Sequence, residues 1–347
     1  MRRLITPAAR YLANLVRDLA EGWDRFWFTP ADPTLLGVIR VLTGLMLLYT
    51  HALWGVVLDD FFGAEPWLSE SLVRSIQSEQ YAYSFWWLVP TRWAWSVHAA
   101  SLAVLALFTI GYKTRLTSVL ALVVAISYAN RVPEALFGLD QVNVMLTLYL
   151  TVGASGQALS VDRWRASRRR WGPATLPAPS VAANLGIRLI NVHMCVIYLF
   201  AGVSKLQGEG WWDGQAMWGA FANLEYQSAD MTWLARYPRL TEFVTHVCVL
   251  WEMTFCILVW KPRWRFVVLA GAIALHFGIG ACLGMWTFGL IMMVGCASFL
   301  TDEVVHAALA VLSPTRAHCK AARFRPFRAG GGDRLKVPEP ALSAGRD

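Results

Sequence analysis

The sequence predicts an all-α integral membrane protein with about eight transmembrane helices and with both termini in the cytoplasm. Of its 347 residues, 56% are hydrophobic and 16% are charged, whereas about one-quarter of the residues in a soluble protein are charged. The apolar residues are grouped in runs of about 20, the length that a helix needs to cross a bilayer. Eight segments have this character: 35–58, 93–111, 116–130, 140–156, 183–203, 242–260, 265–283 and 285–300.

The distribution of basic residues supports eight spans. Arginine and lysine are concentrated in the N-terminal arm, in the loops after the second, fourth and sixth spans, and in the C-terminal tail. With eight spans these five segments lie on one side, which the positive-inside rule assigns to the cytoplasm. The net charge of +8 therefore indicates topology and not binding to nucleic acid. We expect a multi-pass protein of the cell inner membrane, in contact with the lipid bilayer.

Three regions are predicted along the chain. Residues 1–30 form a cytoplasmic N-terminal arm that folds as an amphipathic helix on the membrane surface. Residues 31–303 form the transmembrane domain, and residues 304–347 form a basic, partly disordered cytoplasmic tail. The Pro-rich segment 171–180 is a linker on the cytoplasmic side. The apolar face of the arm consists of Leu4, Tyr11, Leu15, Leu19 and Trp23.

The cysteines and short motifs exclude several common kinds of site. No two cysteines form a CxxC pair, so we expect neither a disulfide nor a metal site. Five of the six lie in or beside spans, where a thiol behaves as a small apolar group. No P-loop, dinucleotide-binding, zinc-protease or serine-hydrolase motif occurs. The cysteines are Cys195, Cys248, Cys256, Cys282, Cys296 and Cys319.

Ionisable side chains inside spans are costly and are therefore candidates for function. Arg40 has either a structural or a functional role. In a structural role, it reaches the cytoplasmic interface or pairs with a neighbouring carbonyl. Glu252 is either a neutral hydrogen-bonded core carboxyl or a functional group, and it shares no helix face with His246. His276 lies among glycines, and it is either a helix–helix contact or a neighbour of a flat ligand.

The fifth span carries the best-organised polar stripe. Asn191, Tyr198 and Lys205 are seven residues apart and share one helix face. Gly202 leaves a gap beside Lys205, which is either an interfacial anchor or a partly desolvated amine that acts as a base. Its predicted position on the outer side, where lysine and arginine are scarce, gives an anchor less reason to occur there.

The stretch YLFAGVSKLQGEGWWDGQAM, residues 198–217, resembles the core of the vitamin K-dependent γ-carboxylases. It also resembles their bacterial relatives, the HTTM (horizontally transferred transmembrane) proteins. The resemblance covers residues 30–303. Four other pieces follow the order of that family: LGVIRVLTGLMLL with Arg40, IGYKTRLTSVLAL with Arg115, ALSVDRW with Ser160 and Asp162, and ALHFGIGACLGMWTFGLIMM with His276.

The resemblance implies a lyase of the carboxylase–epoxidase type. Its co-substrates would be a reduced quinone (vitamin K or menaquinol), O2 and CO2, with no metal. Lys205 would be the base toward the quinol, and His276 and Tyr198 would orient the quinol or stabilise oxyanions. At the position where the carboxylases have an Asn-His pair, this chain has Asp140. This aspartate resembles the one in the Gly-x-Asp variant of bacterial members. The implied contacts to quinone or substrate are Gly202, Asn191, Trp211, Trp212, Asp140 and Arg40.

Two functions therefore follow as expectations. One is quinol-dependent modification of a small or peptidic substrate, within the membrane or on its outer side. The alternative is a non-enzymatic peptide-maturation or export factor that binds a membrane peptide or a lipid. Both predict a secreted or membrane peptide as partner and no nucleic acid. A transporter is less favoured, because transporters usually carry more charge at the midplane or two repeated halves with broken helices.

Overall fold

The computed structural model describes residues 7–77, 82–169 and 177–312, and nearly all the secondary structure in these ranges is helical. Leu4, Cys319, most of the Pro-rich linker and the tail from residue 313 lie outside the described residues. The first helices are α1 (Pro7–Phe28), α2 (Thr34–Val56), α3 (Leu58–Phe62), α4 (Glu70–Ile76), α5 (Ala94–Ile110), α6 (Thr114–Arg131), α7 (Gly138–Val152) and α8 (Val161–Arg169). The others are α9 (Val181–Lys205), α10 (Glu209–Trp212), α11 (Ala216–Phe221), α12 (Pro238–Leu258), α13 (Pro262–Leu283), α14 (Trp286–Cys296) and α15 (Asp302–Leu312).

A helix stands at each of the eight predicted spans, and five segments are long and apolar enough to cross a membrane. Helices α7 and α14 have 15 and 11 residues, or about 22 and 16 Å, against ~30 Å of hydrocarbon. In the described residues the predicted helical fold is confirmed, and its five long apolar helices are consistent with a membrane protein, while the count of eight spans and the cytoplasmic termini stay predictions. The five segments are Thr34–Val56, Thr91–Ile110, Val181–Lys205, Pro238–Leu258 and Pro262–Leu283.

Helix α1 forms in the N-terminal arm, as the sequence predicts. The predicted apolar face, of which Tyr11, Leu15, Leu19 and Trp23 are described, is exposed, from 41% for Leu15 to 69% for Tyr11. The end of α1 is fixed to α9, because the Asn184 amide donates to the carbonyls of Phe26 and Trp27, both at 2.8 Å. An exposed apolar face suits a helix that lies in a membrane surface. The cytoplasmic position of this arm stays a prediction.

Arg40 of α2 is fully buried and holds the loop between α7 and α8. Its guanidinium donates to the carbonyls of Ser155 at 2.5 Å, Ala158 at 3.1 Å and Leu159 at 2.5 Å. Gly111 lies beside it with φ of 72°, a conformation that favours glycine. Of the interpretations offered for Arg40, the structure therefore shows the pairing with carbonyls.

Asp162 completes this junction from the start of α8. The backbone N–H groups of Lys113 and Thr114 donate to its carboxylate at 2.8 and 2.7 Å, which caps α6. Partial burial opposes ionisation, but these hydrogen bonds, that of the Thr114 hydroxyl and the charge of Arg165 outweigh it and lower the pKa of Asp162. The segment around Asp162 thus ties α8 to the turn that precedes α6.

Candidate functional site

The polar stripe of α9 faces the helices that follow it in the chain. Asn191 and Tyr198 are each 2% exposed, and Gly202 is also buried. The Asn191 amide donates to the Ser298 hydroxyl at 2.8 Å, so it serves as a helix–helix contact. The heptad spacing thus places these side chains on one face, with Lys205 at the end of the helix.

Lys205 forms an ion pair with Glu252 of α12. Its Nζ lies 2.6 Å from Glu252 Oε2, and the two side chains are 21% and 7% exposed. The Nζ also lies 3.4 Å from the Ala201 carbonyl oxygen and 5.2 Å from the centre of the Trp211 ring. The amine is therefore enclosed by a carboxylate and an indole, and it does not project freely into solvent.

The pairing with Glu252 changes what the amine can do. A buried ammonium and a buried carboxylate compensate each other, and removal of one leaves the other uncompensated. The pair has no net charge, whether the proton is on Lys205 Nζ or on Glu252 Oε2. A proton shift along the hydrogen bond of 2.6 Å therefore produces a neutral amine without a change in charge.

A second polar cluster lies next to this pair on α9. The Tyr198 hydroxyl lies 2.7 Å from His276 Nε2 of α13 and 3.2 Å from Cys296 Sγ of α14. Aromatic rings enclose it, with the Phe255 ring centre 4.2 Å from that of Tyr198 and the Phe288 ring 5.9 Å from that of His276. Among the described residues, His276 Nδ1 is buried and has no hydrogen-bond partner.

The remaining predicted site residues lie elsewhere or face outward. Trp212 is 65% exposed, and its Nε1 donates to the Leu206 carbonyl at 2.8 Å. Asp140 accepts the Phe137 N–H at 3.0 Å at the start of α7. Arg40 belongs to the junction with the α7–α8 loop. Among the candidate residues, the structure therefore brings Lys205 into contact with Trp211 and Glu252, and Tyr198 into contact with His276.

Glu252 is the site residue whose role the sequence did not reveal. A carboxyl group inside a span is unusual and marks Glu252 in the sequence. Its partner, however, lies 47 positions earlier on another helix, so spacing along the chain does not identify it. The available signal was the pairing rule for membrane charges, since a buried acid needs a cation or a donor. Lys205 is the cation that satisfies this need.

Gly202 allows α9 to approach α12 at the level of Glu252, and we expect Gly202→Ala to separate them. An added Cβ would lie 2.7 Å from Met253 Cγ and 3.1 Å from Met253 N. Such overpacking lowers the free energy of unfolding by about 1–3 kcal/mol. Thermal or denaturant unfolding in detergent would measure this loss. Gly278→Ala in α13 is the control, since a Cβ there meets nothing within 4 Å. Equal stability of the two variants would contradict this account.

The fold and these clusters define a helical membrane protein with buried ionisable groups between its helices. In the part of the chain that the structure describes, no three His, Cys, Asp or Glu side chains come together as metal ligands. Comparison with protein-family models, curated proteins and solved structures gives no match for this chain. The resemblance to the γ-carboxylases thus stays a prediction.

Proposed function

We propose that the protein is a membrane-embedded enzyme of the γ-carboxylase-like HTTM type, in which Lys205 acts as the base. It modifies a small or peptidic substrate and uses a reduced quinone as co-substrate. The observation that carries the proposal is the 2.6 Å contact between Lys205 Nζ and Glu252 Oε2 in a largely enclosed site. The resemblance of residues 198–217 suggests the reaction class.

The residues present fit a ligand with oxygen groups. An ammonium has three N–H groups, and Lys205 directs two of them to Glu252 and Ala201. The third N–H group of Lys205 could donate to a quinol or quinone oxygen. His276 Nδ1 is buried and has no partner among the described residues, so a ligand would have to enter between the helices to reach it. When bound, the reduced quinone would supply the electrons that reduce O2. Lys205 and His276 are the side chains that would hold it.

Glu252 prepares Lys205 for proton transfer. While Lys205 carries the proton of the ion pair, its nitrogen has no lone pair to accept another. After that proton moves to Glu252, the amine is neutral and can remove the proton of a hydroxyl group. Apolar surroundings favour this arrangement, because a neutral pair avoids part of the desolvation cost of two ions.

The direct test is epoxide formation by the purified protein in lipid nanodiscs. Reduced menaquinone and O2 are supplied, and the balanced reaction converts quinol and O2 into quinone epoxide and water. We expect epoxide to accumulate with protein and not with empty nanodiscs. Failure with both menaquinol and vitamin K hydroquinone, in protein that remains folded, would refute the proposal.

A second candidate function is binding of a peptide without chemistry. Between α4 and the segment 82–88 lies a cleft of about 370 Å³ on the side that is predicted to be outer. The Arg74 guanidinium lies 4.9 Å from the centre of the Trp87 ring at this cleft. Arg74 is also paired with Glu70 at 2.7 Å. Such a charge-paired and aromatic surface suits a polar peptide segment. Under this function, Lys205→Ala would leave peptide maturation in cells unchanged.

A further inference from the structure

A small polar cavity lies between α2, α6 and α7, apart from the Lys205 site. Its volume is about 10 Å³, enough for about one water molecule. His51 of α2, Tyr128 of α6, and Asp140 and Asn143 of α7 bring polar groups to its wall. The rest of the wall is mainly apolar. The cavity therefore gathers polar side chains from three helices.

Asn143 brings an unsatisfied amide to this cavity. Its side chain is 1% exposed. Neither Nδ2 nor Oδ1 has a hydrogen-bond partner among the residues that the structure describes. Buried amides are nearly always paired, because loss of water without a replacement partner is unfavourable. The Asn143 amide thus needs both an acceptor and a donor in the cavity.

His51 contributes a lone pair. Its Nδ1 lies 2.8 Å from the Leu47 carbonyl oxygen, so in the neutral ring Nδ1 carries the proton. The other nitrogen, Nε2, is then an acceptor, and it has no partner within the described ranges. The neighbouring Tyr128 hydroxyl is already engaged with His98 Nδ1 at 2.7 Å.

We propose that this cavity binds one hydroxyl group between His51 and Asn143. The hydroxyl donates its hydrogen to His51 Nε2 and accepts a hydrogen bond from Asn143 Nδ2. Water and the hydroxyl of a larger neutral molecule share these two hydrogen bonds, but only water has a second O–H. If the ligand is water, its second O–H is directed to Asn143 Oδ1 or Asp140. The site does not depend on the proposed chemistry at Lys205.

The sign of a stability change tests the proposal. Asn143→Leu keeps a similar side-chain volume and removes both amide atoms. If the hydroxyl group is present, leucine cannot form the hydrogen bonds that Asn143 makes to it. The variant should then unfold at a temperature several degrees lower than the wild type. Asn191→Leu is the control, because its amide has the known partner Ser298, and it should shift in the same direction. A higher unfolding temperature for Asn143→Leu would show a dry cavity and overturn the proposal.

A density map tests the site without a substitution, in case Asn143→Leu does not fold. Cryo-electron microscopy of the wild-type protein in nanodiscs, at a resolution that shows ordered water, should reveal a peak within hydrogen-bond distance of both His51 Nε2 and the Asn143 amide. An isolated peak identifies water, and a peak that continues into elongated density identifies the hydroxyl of a larger molecule. No peak, in a map that shows other internal waters, overturns the proposal.

Discussion

Replacing Lys205 with alanine is expected to lower quinol-dependent epoxide formation by a factor of about 10²–10⁴, the typical contribution of a general base. The amine is the group that receives the proton, and alanine offers no base in its place. Lys205→Arg should be equally inactive, since a guanidinium stays protonated and has no lone pair to offer. The measurement is the initial rate of epoxide formation at saturating quinol in nanodiscs.

Two further variants show whether any loss of activity is due to proton transfer. Glu252→Gln still accepts a hydrogen bond from Lys205 but cannot take its proton, so the rate per folded protein should fall. Stability should fall as well, because the ammonium then lacks its counter-charge. Lys261→Ala removes an exposed lysine at the start of α13 and should leave the rate unchanged. Full activity of Lys205→Arg would exclude Lys205 as the base.

The helices were more predictable than the site. Apolar runs place a helix at all eight positions, because burial in lipid requires both length and hydrophobicity. Boundaries were less exact, since α12 begins at Pro238 and not at residue 242. Proline is favoured at the first position of a helix, where its missing N–H costs nothing. That signal was present in the sequence.

The partners within the site could not be read from spacing. The heptad spacing of Asn191, Tyr198 and Lys205 identifies one face of α9, but a single helix gives no information about which helix packs there. Contacts of Lys205 with Glu252 and of Tyr198 with His276 span 47 and 78 positions. Asn143 was not a candidate, because it lies outside the polar stripe of α9 and its lack of partners among the described residues is visible only in the structure.

The pieces that carry the family resemblance fall into two places in the structure. Arg40, the turn at Gly111 and the segment at Asp162 meet at the α7–α8 junction, where they satisfy carbonyls and cap α6. Only the stretch 198–217 and the piece with His276 lie at the candidate site. The residues of the first group therefore serve the folding of the junction, and they give little support to the predicted chemistry.

Arg40 should be among the most costly residues to replace, although it lies away from the candidate site. It is 0% exposed and donates to three carbonyls of one loop. A hydrogen bond to a charged group contributes about 1.5–3 kcal/mol, and carbonyls left buried without donors add to the loss. We expect Arg40→Ala to lower the free energy of unfolding by about 4 kcal/mol, measured by denaturant unfolding in detergent.

Arg40→Lys separates charge from geometry at the same position. An ammonium keeps the charge, but it cannot reproduce the planar fork that reaches all three carbonyls, so an intermediate loss of about 2 kcal/mol is expected. Arg92→Ala, at an exposed position before α5, is the control and should change stability little. If Arg40→Ala unfolds like the wild type, the buried guanidinium does not hold the loop. If epoxide formation is also lost in a folded Arg40→Lys protein, the junction and the Lys205 site are coupled.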